Sequence, residues 1–159
     1  MMNKKKWLAL LGWILVAQGA GIVGSIFTAS AIPTWYATLM KPALNPPSFV
    51  FGPVWTTLFI LMGIAAFLVW EKGIERSDVK KALGLFFVQL ALNTAWSIIF
   101  FALHSPGWAF VEIVFLWLAI LATIEAFRKI SERAAWLLLP YILWVSFASY
   151  LNYMIYVLN

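Results

Sequence analysis

Residues 30–55 read SAIPTWYATLMKPALNPPSFVFGPVW, the only long stretch of the chain that is neither continuously apolar nor rich in charge. This stretch holds five of the seven prolines of the sequence. Pro33 predicts the end of a preceding helix, and Pro46 and Pro47 favour an extended segment before Ser48 caps the next helix. The stretch therefore predicts an ordered loop that covers a pocket like a lid.

The composition on both sides of this loop is that of a membrane protein. Of the 159 residues, 64% are hydrophobic and 11% are charged, which leaves too little polar surface to cover a soluble globule. About 20 apolar residues in a helix span a hydrocarbon core about 30 Å thick. The sequence predicts an all-α integral membrane bundle of five transmembrane helices, folded as one domain over residues 1–159. The helices are expected at about 7–29, 49–70, 81–103, 108–127 and 134–158, and the lid loop at about 30–48.

The basic residues are divided unequally between the two ends of these helices. Ten of the eleven precede the first helix or lie in the links between helices two and three and between helices four and five: Lys4, Lys5, Lys6, Lys72, Arg76, Lys80, Lys81, Arg128, Lys129 and Arg133. Only Lys41 lies on the other side. The positive-inside rule therefore predicts a cytoplasmic N-terminus, with the first loop and the C-terminus outside. The same distribution assigns the basic face to contact with anionic membrane lipid and argues against nucleic acid as a partner.

Several kinds of chemistry lack the residues that they need. The chain has no cysteine and a single histidine, His104, so the usual ligands of zinc, iron–sulfur clusters and haem iron are missing. A Ser-His-Asp triad fails because Asp78 belongs to the cytoplasmic side and His104 to the other. Neither a metal nor a resident cofactor is predicted, and by default the chain is not an enzyme.

Two predicted helices each place polar and aromatic side chains on one face. Helix three does so at i, i+4, i+7 and i+11, and helix five repeats the arrangement. These residues are Gln89, Asn93, Trp96 and Phe100 on helix three, and Tyr141, Trp144 and Ala148 on helix five. The alternative for the amides is that they join helices by hydrogen bonds, and for most tryptophans that they pack against helices and lipid.

Depth favours one shared cavity. At about 1.5 Å per helical residue, Trp55 lies roughly 10 Å below the outer loop, Asn93 roughly 13 Å and Trp144 roughly 20 Å. All three are predicted to line a cavity that opens toward the lid. Glu112 lies about one turn inside the outer end of helix four. It is a functional candidate as an intramembrane carboxylate, with contact to headgroups or a protonated state as the alternatives.

Small residues at four-residue spacing predict close helix contacts. The pairs are Ala17 with Gly21 and Ala20 with Gly24 in helix one, and Ala91 with Ala95 in helix three. They favour a homodimer through helix one or helix three. Packing of the same residues within one chain is the alternative.

Three motifs in order carry a resemblance to a known family. They read Trp35-Tyr36-x-x-Leu39-x-Lys41-Pro42-x-x-x-Pro46-Pro47 with Phe51-x-Pro53-x-Trp55, then Gln89-Leu90-x-Leu92-Asn93-x-x-Trp96-x-x-x-Phe100-Phe101, then Leu139-Pro140-Tyr141-x-x-Trp144-x-x-x-Ala148-x-x-Leu151-Asn152. Over essentially its whole length the chain resembles the translocator protein family, also called tryptophan-rich sensory proteins or peripheral-type benzodiazepine receptors, and is similar to its bacterial members.

This resemblance implies a five-helix bundle, usually dimeric, with a pocket capped by the first loop. It implies binding of protoporphyrin and other tetrapyrroles, and of benzodiazepine and isoquinoline-carboxamide drugs, with a role in sensing, stress response or porphyrin transport. The implied ligand-binding residues are Trp35, Tyr36, Lys41, Pro46, Pro47, Phe51, Trp55, Gln89, Asn93, Trp96, Phe100, Tyr141, Trp144 and Ala148. The alternatives are a light- and oxygen-dependent porphyrin-degrading enzyme, with Trp55 and Trp144 as catalytic residues, and a small-molecule or sterol transporter.

The chain departs from the family pattern at two places. Leu44 stands where the loop motif commonly has tryptophan, which removes one aromatic contact from the lid. The sterol-recognition pattern of animal members requires a basic residue after the tyrosine, and none follows Tyr153. Sterol recognition by that route is therefore not supported.

Overall fold

The structure is a computed structural model that describes residues 3–159 and consists of five long helices. These are α1 (Lys4–Ala31), which a π-helical turn (Ile32–Tyr36) prolongs, α2 (Ser48–Trp70), α3 (Ser77–Ser97), prolonged by a second π-helical turn (Ile98–Ala102), α4 (Pro106–Arg128) and α5 (Glu132–Leu158). Each is long and apolar enough to cross a membrane. No strand occurs among residues 3–159. The predicted all-α bundle of five transmembrane helices is confirmed.

The end of α1 differs from the prediction. Pro33 does not stop the helix, because it falls within the π-helical turn, whose wider hydrogen-bond spacing accommodates a residue without an N–H. Helical residues continue to position 38, so the first loop comprises only residues 39–47. Pro47 is extended as expected, with φ −56° and ψ 144°. It is Pro47, however, and not Ser48, that occupies the cap position of α2, and it makes no side-chain hydrogen bond there.

The centre of the bundle lies between α2, α3, α4 and α5. Its largest fully buried side chains include Met62, Phe86, Phe127, Leu138 and Tyr141, which between them come from all four of these helices. Helix α1 is peripheral. Only 11% of the residues in its most apolar stretch are buried, against 33–44% in the corresponding stretches of the other four helices. Among the long helices it packs mainly against α2 and α3.

Glycines set the distance between α1 and α2. A Cβ atom at Gly63 would lie 2.5 Å from Cα of Ile14 and 2.9 Å from the carbonyl oxygen of Trp13. One at Gly21 would lie 2.5 Å from the ring of Phe59. The two helices therefore touch at backbone distance over their inner portions, which only glycine permits.

The contacts of the glycines distinguish between the two surfaces that were predicted for a homodimer. Gly21 packs against α2, and a Cβ atom at Gly24 would lie 3.1 Å from Oγ of Ser97 in α3, so both glycines serve contacts within the chain. Ala91, by contrast, is exposed on α3. Assembly as a homodimer stays a prediction, and of the two proposed surfaces only the one on α3 remains free.

The basic residues predicted to share one side gather at one end of the bundle. The N-terminus of α1, the α2–α3 link and the α4–α5 link meet there, and Lys6 in α1 pairs with Glu71 after α2 at 3.6 Å. Arg128 pairs with Glu125 at 3.0 Å within α4. Because both pairs are at least partly exposed, each contributes at most about 1 kcal/mol to stability.

Candidate functional site

A cavity of about 480 Å³ lies within the half of the bundle that is farther from the basic end. Helices α1, α2, α3 and α5 enclose it, whereas α4 contributes no lining residue. The volume falls in the range of pockets that hold drug-sized ligands, about 300–1,000 Å³. None of the residues that line it is acidic, basic or histidine. The cavity can therefore receive an uncharged group of considerable size.

Aromatic rings form most of the inner wall. Trp96 stacks on Phe100, with ring centroids 5.1 Å apart and an interplanar angle of 25°. Phe51 meets Trp144 edge to face at 6.0 Å. Trp55 packs on Phe59 within the wall. Flat rings in these orientations offer stacking surface to a planar ligand.

A buried hydrogen-bond network lies behind this wall. Asn93 donates from Nδ2 to the hydroxyl of Tyr141 at 2.9 Å, and that hydroxyl donates to Oε1 of Gln89 at 2.8 Å. Nε2 of Gln89 points to the sulfur of Met62 at 3.7 Å. Of these residues only Asn93 lines the cavity. Gln89 and Tyr141 thus fix the orientation of Asn93, whose Oδ1 accepts no hydrogen bond from residues 3–159.

The two tryptophans that flank Asn93 differ in how their indole N–H groups are satisfied. Trp96 donates from Nε1 to Oδ1 of Asn152 at 2.9 Å, and Asn152 in turn donates to the carbonyl of Pro106 at 2.7 Å. Nε1 of Trp144 is buried and has no acceptor within the described part of the chain. Trp96 is therefore locked to α5 and to the start of α4, whereas Trp144 is held by packing alone.

The structure brings together eight of the predicted site residues and leaves six outside. The cavity is lined by Tyr36, Phe51, Trp55, Asn93, Trp96, Phe100, Trp144 and Ala148. Gln89 and Tyr141 lie behind the wall, and Trp35, Lys41, Pro46 and Pro47 lie above it, at the level of the first loop. No residue of the loop 39–47 lines the cavity, but Ile32, Tyr36 and Ser48 from the predicted lid region 30–48 do.

The residues above the cavity are engaged with one another. Trp35 stacks on His104 at 4.3 Å and meets Phe100 edge to face. Lys41 donates from Nζ to the carbonyl of Leu39 at 3.0 Å and lies 4.7 Å over the ring of Tyr36. These contacts join the end of α1, the first loop and the α3–α4 turn into an ordered cap.

Of the lining residues that the sequence analysis did not name, the largest group comes from α1 and the π-helical turn that prolongs it. This group consists of Gln18, Gly21, Ile22, Gly24, Ser25, Thr28, Ala29 and Ile32. Gly21, Gly24, Ser25 and Thr28 share one helical face at i, i+3, i+4 and i+7. Of these four residues, the sequence analysis interpreted only Gly21 and Gly24, as parts of a packing surface.

Glu112 belongs to a different part of the molecule. Both carboxylate oxygens are buried without a hydrogen-bond partner in residues 3–159, and the residue borders a shallow apolar groove with Trp108 and Phe115. A buried polar group without a partner costs about 1–3 kcal/mol.

Replacing that carboxylate by a side chain of similar size should consequently stabilise the protein. We expect Glu112→Leu to raise the free energy of unfolding by about 1–3 kcal/mol, measured by denaturation in mixed micelles. Glu125→Leu is the matched control, since Glu125 is exposed and pairs with Arg128, and it should change stability by less than about 0.5 kcal/mol. A loss of stability in Glu112→Leu would show that the carboxylate has a partner in the membrane.

Comparison with known proteins places these features in a family. The sequence model of the TspO/MBR family matches residues 13–158. The chain is 46% identical to "Tryptophan-rich protein TspO" of Chlorobaculum tepidum over 99% of both chains. It is 41% identical to the human "Translocator protein" over 94% of this chain and 89% of that protein. It is 34% identical to the "Tryptophan-rich sensory protein" of Cereibacter sphaeroides over 90% of each.

The match covers α2, α3, α4, α5 and most of α1, and it includes every residue that lines the cavity. Membership of this family supports a sensory or transport role in a membrane. With its five helices able to span a bilayer, this chain belongs to the TspO/MBR family and is an integral, multi-pass membrane protein.

Proposed function

We propose that the cavity binds a tetrapyrrole of the protoporphyrin type, and that the protein senses or transports such molecules in the membrane. The observation that supports this proposal is the aromatic cavity of about 480 Å³ with one oriented amide, Asn93, in its wall. Drugs of the benzodiazepine and isoquinoline-carboxamide classes are flat, apolar and carry a carbonyl, so the same cavity suits them.

The contacts available match a porphyrin in two ways. The macrocycle can stack on the Trp96 and Phe100 pair and on Trp55, with each aromatic contact worth about 0.5–1.5 kcal/mol beyond its buried area. Oδ1 of Asn93 can accept a hydrogen bond from a pyrrole N–H, because it accepts none from residues 3–159, and the hydrogen bond of Nδ2 to Tyr141 holds the amide in place. Since the cavity contains no basic residue, the propionates would remain at its edge.

A second candidate function is light- and oxygen-dependent breakdown of the bound porphyrin. It is favoured by the position of Trp55 and Trp144, which both line the cavity and can donate an electron to an excited macrocycle. Trp55 also meets Tyr141 edge to face at 6.2 Å, so an oxidised Trp55 has a second oxidisable ring beside it.

Titration of the purified protein with protoporphyrin, in the dark and under illumination, tests both functions. We expect quenching of tryptophan fluorescence and a shift of the porphyrin absorption band. Asn93→Ala should weaken binding by about 1–3 kcal/mol, or about 5- to 150-fold in Kd. Trp117→Phe, which changes a tryptophan bonded to Ser146 outside the cavity, is the control and should bind like the wild type. Unaltered affinity in Asn93→Ala would contradict the proposed site.

The two tryptophans separate binding from photochemistry. Trp55→Phe and Trp144→Phe keep an aromatic wall, so a protein that only binds should lose little affinity. An enzyme should keep its affinity and lose the light-dependent bleaching of the porphyrin band. If the wild type in oxygen and light alters bound porphyrin no faster than free porphyrin is altered, the enzymatic function is rejected.

We propose further that the basic end of the bundle faces the cytoplasm and that α3 forms a homodimer contact. A reporter fused after Asn159 should then be active outside the cytoplasm, and one inserted between α2 and α3 should be active inside.

Ala91→Leu should convert the dimer to monomer in mild detergent, measured by mass, since Ala91 is exposed. Reversed reporter activities, or an unchanged mass, would contradict the respective proposal.

A further inference from the structure

The residues that line the cavity are not equally accessible. Seven of them are exposed, and all seven belong to α1 and the first part of α2: Ile22, Ser25, Ala29, Ser48, Phe49, Gly52 and Thr56. The lining residues from α3, its π-helical turn and α5 are buried or half-buried without exception. We call the seven exposed residues the mouth of the cavity. The cavity thus has an open side, and this side lies between two transmembrane helices.

The register of α1 against α2 places the mouth residues of the two helices opposite one another. Contacts pair Ile14 with Gly63, and Gly21 with Phe59, while Nε2 of Gln18 donates to the carbonyl of Thr56 at 2.9 Å. Continued toward the first loop, this antiparallel register places Ser25 opposite Gly52 and Ala29 opposite Ser48. Below the mouth the helices are in contact, and at the mouth the facing residues of both helices are exposed.

We propose that the mouth opens sideways into the bilayer and that the ligand enters the cavity from the lipid, between α1 and α2. This inference rests on the proposed function in that the cavity must hold a ligand. The mouth belongs to the segments Lys4–Tyr36 and Ser48–Trp70, both of which can span the membrane, so its outer side faces acyl chains.

Entry of the ligand through the first loop would cost more hydrogen bonds than entry through the mouth. Met40 in the first loop donates from its backbone N–H to Oδ1 of Asn159 at 2.9 Å, and Asn159 donates back to the carbonyl of Met40 at 3.0 Å. The hydroxyl of Tyr36 donates to Oδ1 of Asn45 at 2.9 Å. Entry through the first loop would break these hydrogen bonds, whereas entry through the mouth breaks none of them.

The chemistry of the lining defines the class of ligand. Because no charged side chain lines the cavity, the part of the ligand that enters is uncharged. Ionised groups must stay at the mouth or among the headgroups. The ligand is therefore a membrane-dissolved amphiphile, with a flat apolar body and its charges confined to one edge.

Gly52 is a position at which substitution can change the width of the mouth. It lies in the mouth, and a Cβ atom there would meet no atom within 4 Å, so a larger side chain fits without strain and narrows the opening. Gly84 on the exposed face of α3 has the same open surroundings and does not line the cavity. Substitution of Gly84 therefore provides a matched control for substitution of Gly52.

Cross-linking distinguishes the two routes. The sequence has no cysteine, so the pair Ser25→Cys and Gly52→Cys can be joined across the mouth by a short, cleavable bifunctional thiol reagent. The pair Met40→Cys and Asn159→Cys can be joined across the top in the same way. We expect the first cross-link to slow transfer of protoporphyrin from donor vesicles to the protein in nanodiscs at least tenfold, reversibly on cleavage, and the second to leave it unchanged. The opposite pattern would overturn the proposal.

A measurement without porphyrin keeps this inference separate from the proposed function. A nitroxide attached at Ala148→Cys, on the wall opposite α1, should collide with oxygen dissolved in the bilayer more often than with a water-soluble nickel chelate. Gly52→Phe should reduce the collisions with oxygen at least twofold, and Gly84→Phe should not. If this holds and porphyrin does not bind, the proposed function fails and the lateral mouth stands. If Gly52→Phe has no effect, the lateral mouth is rejected even where porphyrin binds.

Discussion

Gly63→Ala should lower the free energy of unfolding by about 1–3 kcal/mol, because the added methyl group has no space between α1 and α2. Its Cβ atom would lie 2.5 Å from Cα of Ile14 and 2.8 Å from the backbone nitrogen of the same residue. Backbone atoms cannot rotate away as the end of a side chain can, so the helices must separate. Unfolding in mixed micelles, followed by circular dichroism, measures the loss.

Substitutions of two other glycines by alanine control for the higher helix propensity of alanine. Gly12 in α1 and Gly84 in α3 are both exposed, and a Cβ atom at either would meet nothing within 4 Å. Gly12→Ala and Gly84→Ala should therefore be neutral or stabilise the protein by up to about 1 kcal/mol. If Gly63→Ala behaves like these two variants, the close contact of α1 with α2 is wrong.

Tyr141→Phe should cost about 2–6 kcal/mol of stability through the loss of one oxygen atom. The hydroxyl accepts from Asn93 and donates to Gln89, and all three residues are buried. Its removal leaves an amide nitrogen and an amide oxygen unpaired, at about 1–3 kcal/mol each. The variant should also bind protoporphyrin less tightly, because Asn93 loses the contact that orients it toward the cavity.

A control variant and a double variant test this explanation. Tyr153→Phe removes a hydroxyl from an exposed tyrosine and should change stability by less than about 0.5 kcal/mol. Once Gln89 is replaced by leucine, Tyr141→Phe should cost less than it does alone, since one of the two unpaired groups is already gone. Strictly additive losses would show that the hydrogen-bond network is not coupled.

The five helices could be predicted from the sequence because length and composition alone decide whether a segment spans a bilayer. The depth of a residue in such a helix follows from a fixed rise of about 1.5 Å, and this sufficed to predict that Trp55, Asn93 and Trp144 line one cavity. Both properties are local, so they do not depend on how the helices are arranged.

The remaining features depend on how the helices are arranged in space, so local sequence patterns did not predict them. Gln89 and Asn93 share one face of α3, but spacing cannot tell that Tyr141 binds both amides and draws Gln89 away from the cavity. Pro33 normally ends a helix, and only its place in a π-helical turn lets α1 continue. Most of all, the mouth depends on how α1 packs against α2, which no local pattern specifies.

The pairing of Met40 with Asn159 also constrains the order in which the molecule can be assembled. The two residues are 119 positions apart, so the hydrogen bonds that hold the first loop cannot form until α5 has been synthesised and inserted. Contacts of such long sequence separation are formed late and slowly. During biosynthesis the first loop is therefore synthesised early, but its hydrogen bonds to Asn159 form last. In a nascent chain that holds only the first four helices, the cavity is lined by α1, α2 and α3 and lacks the wall that α5 provides.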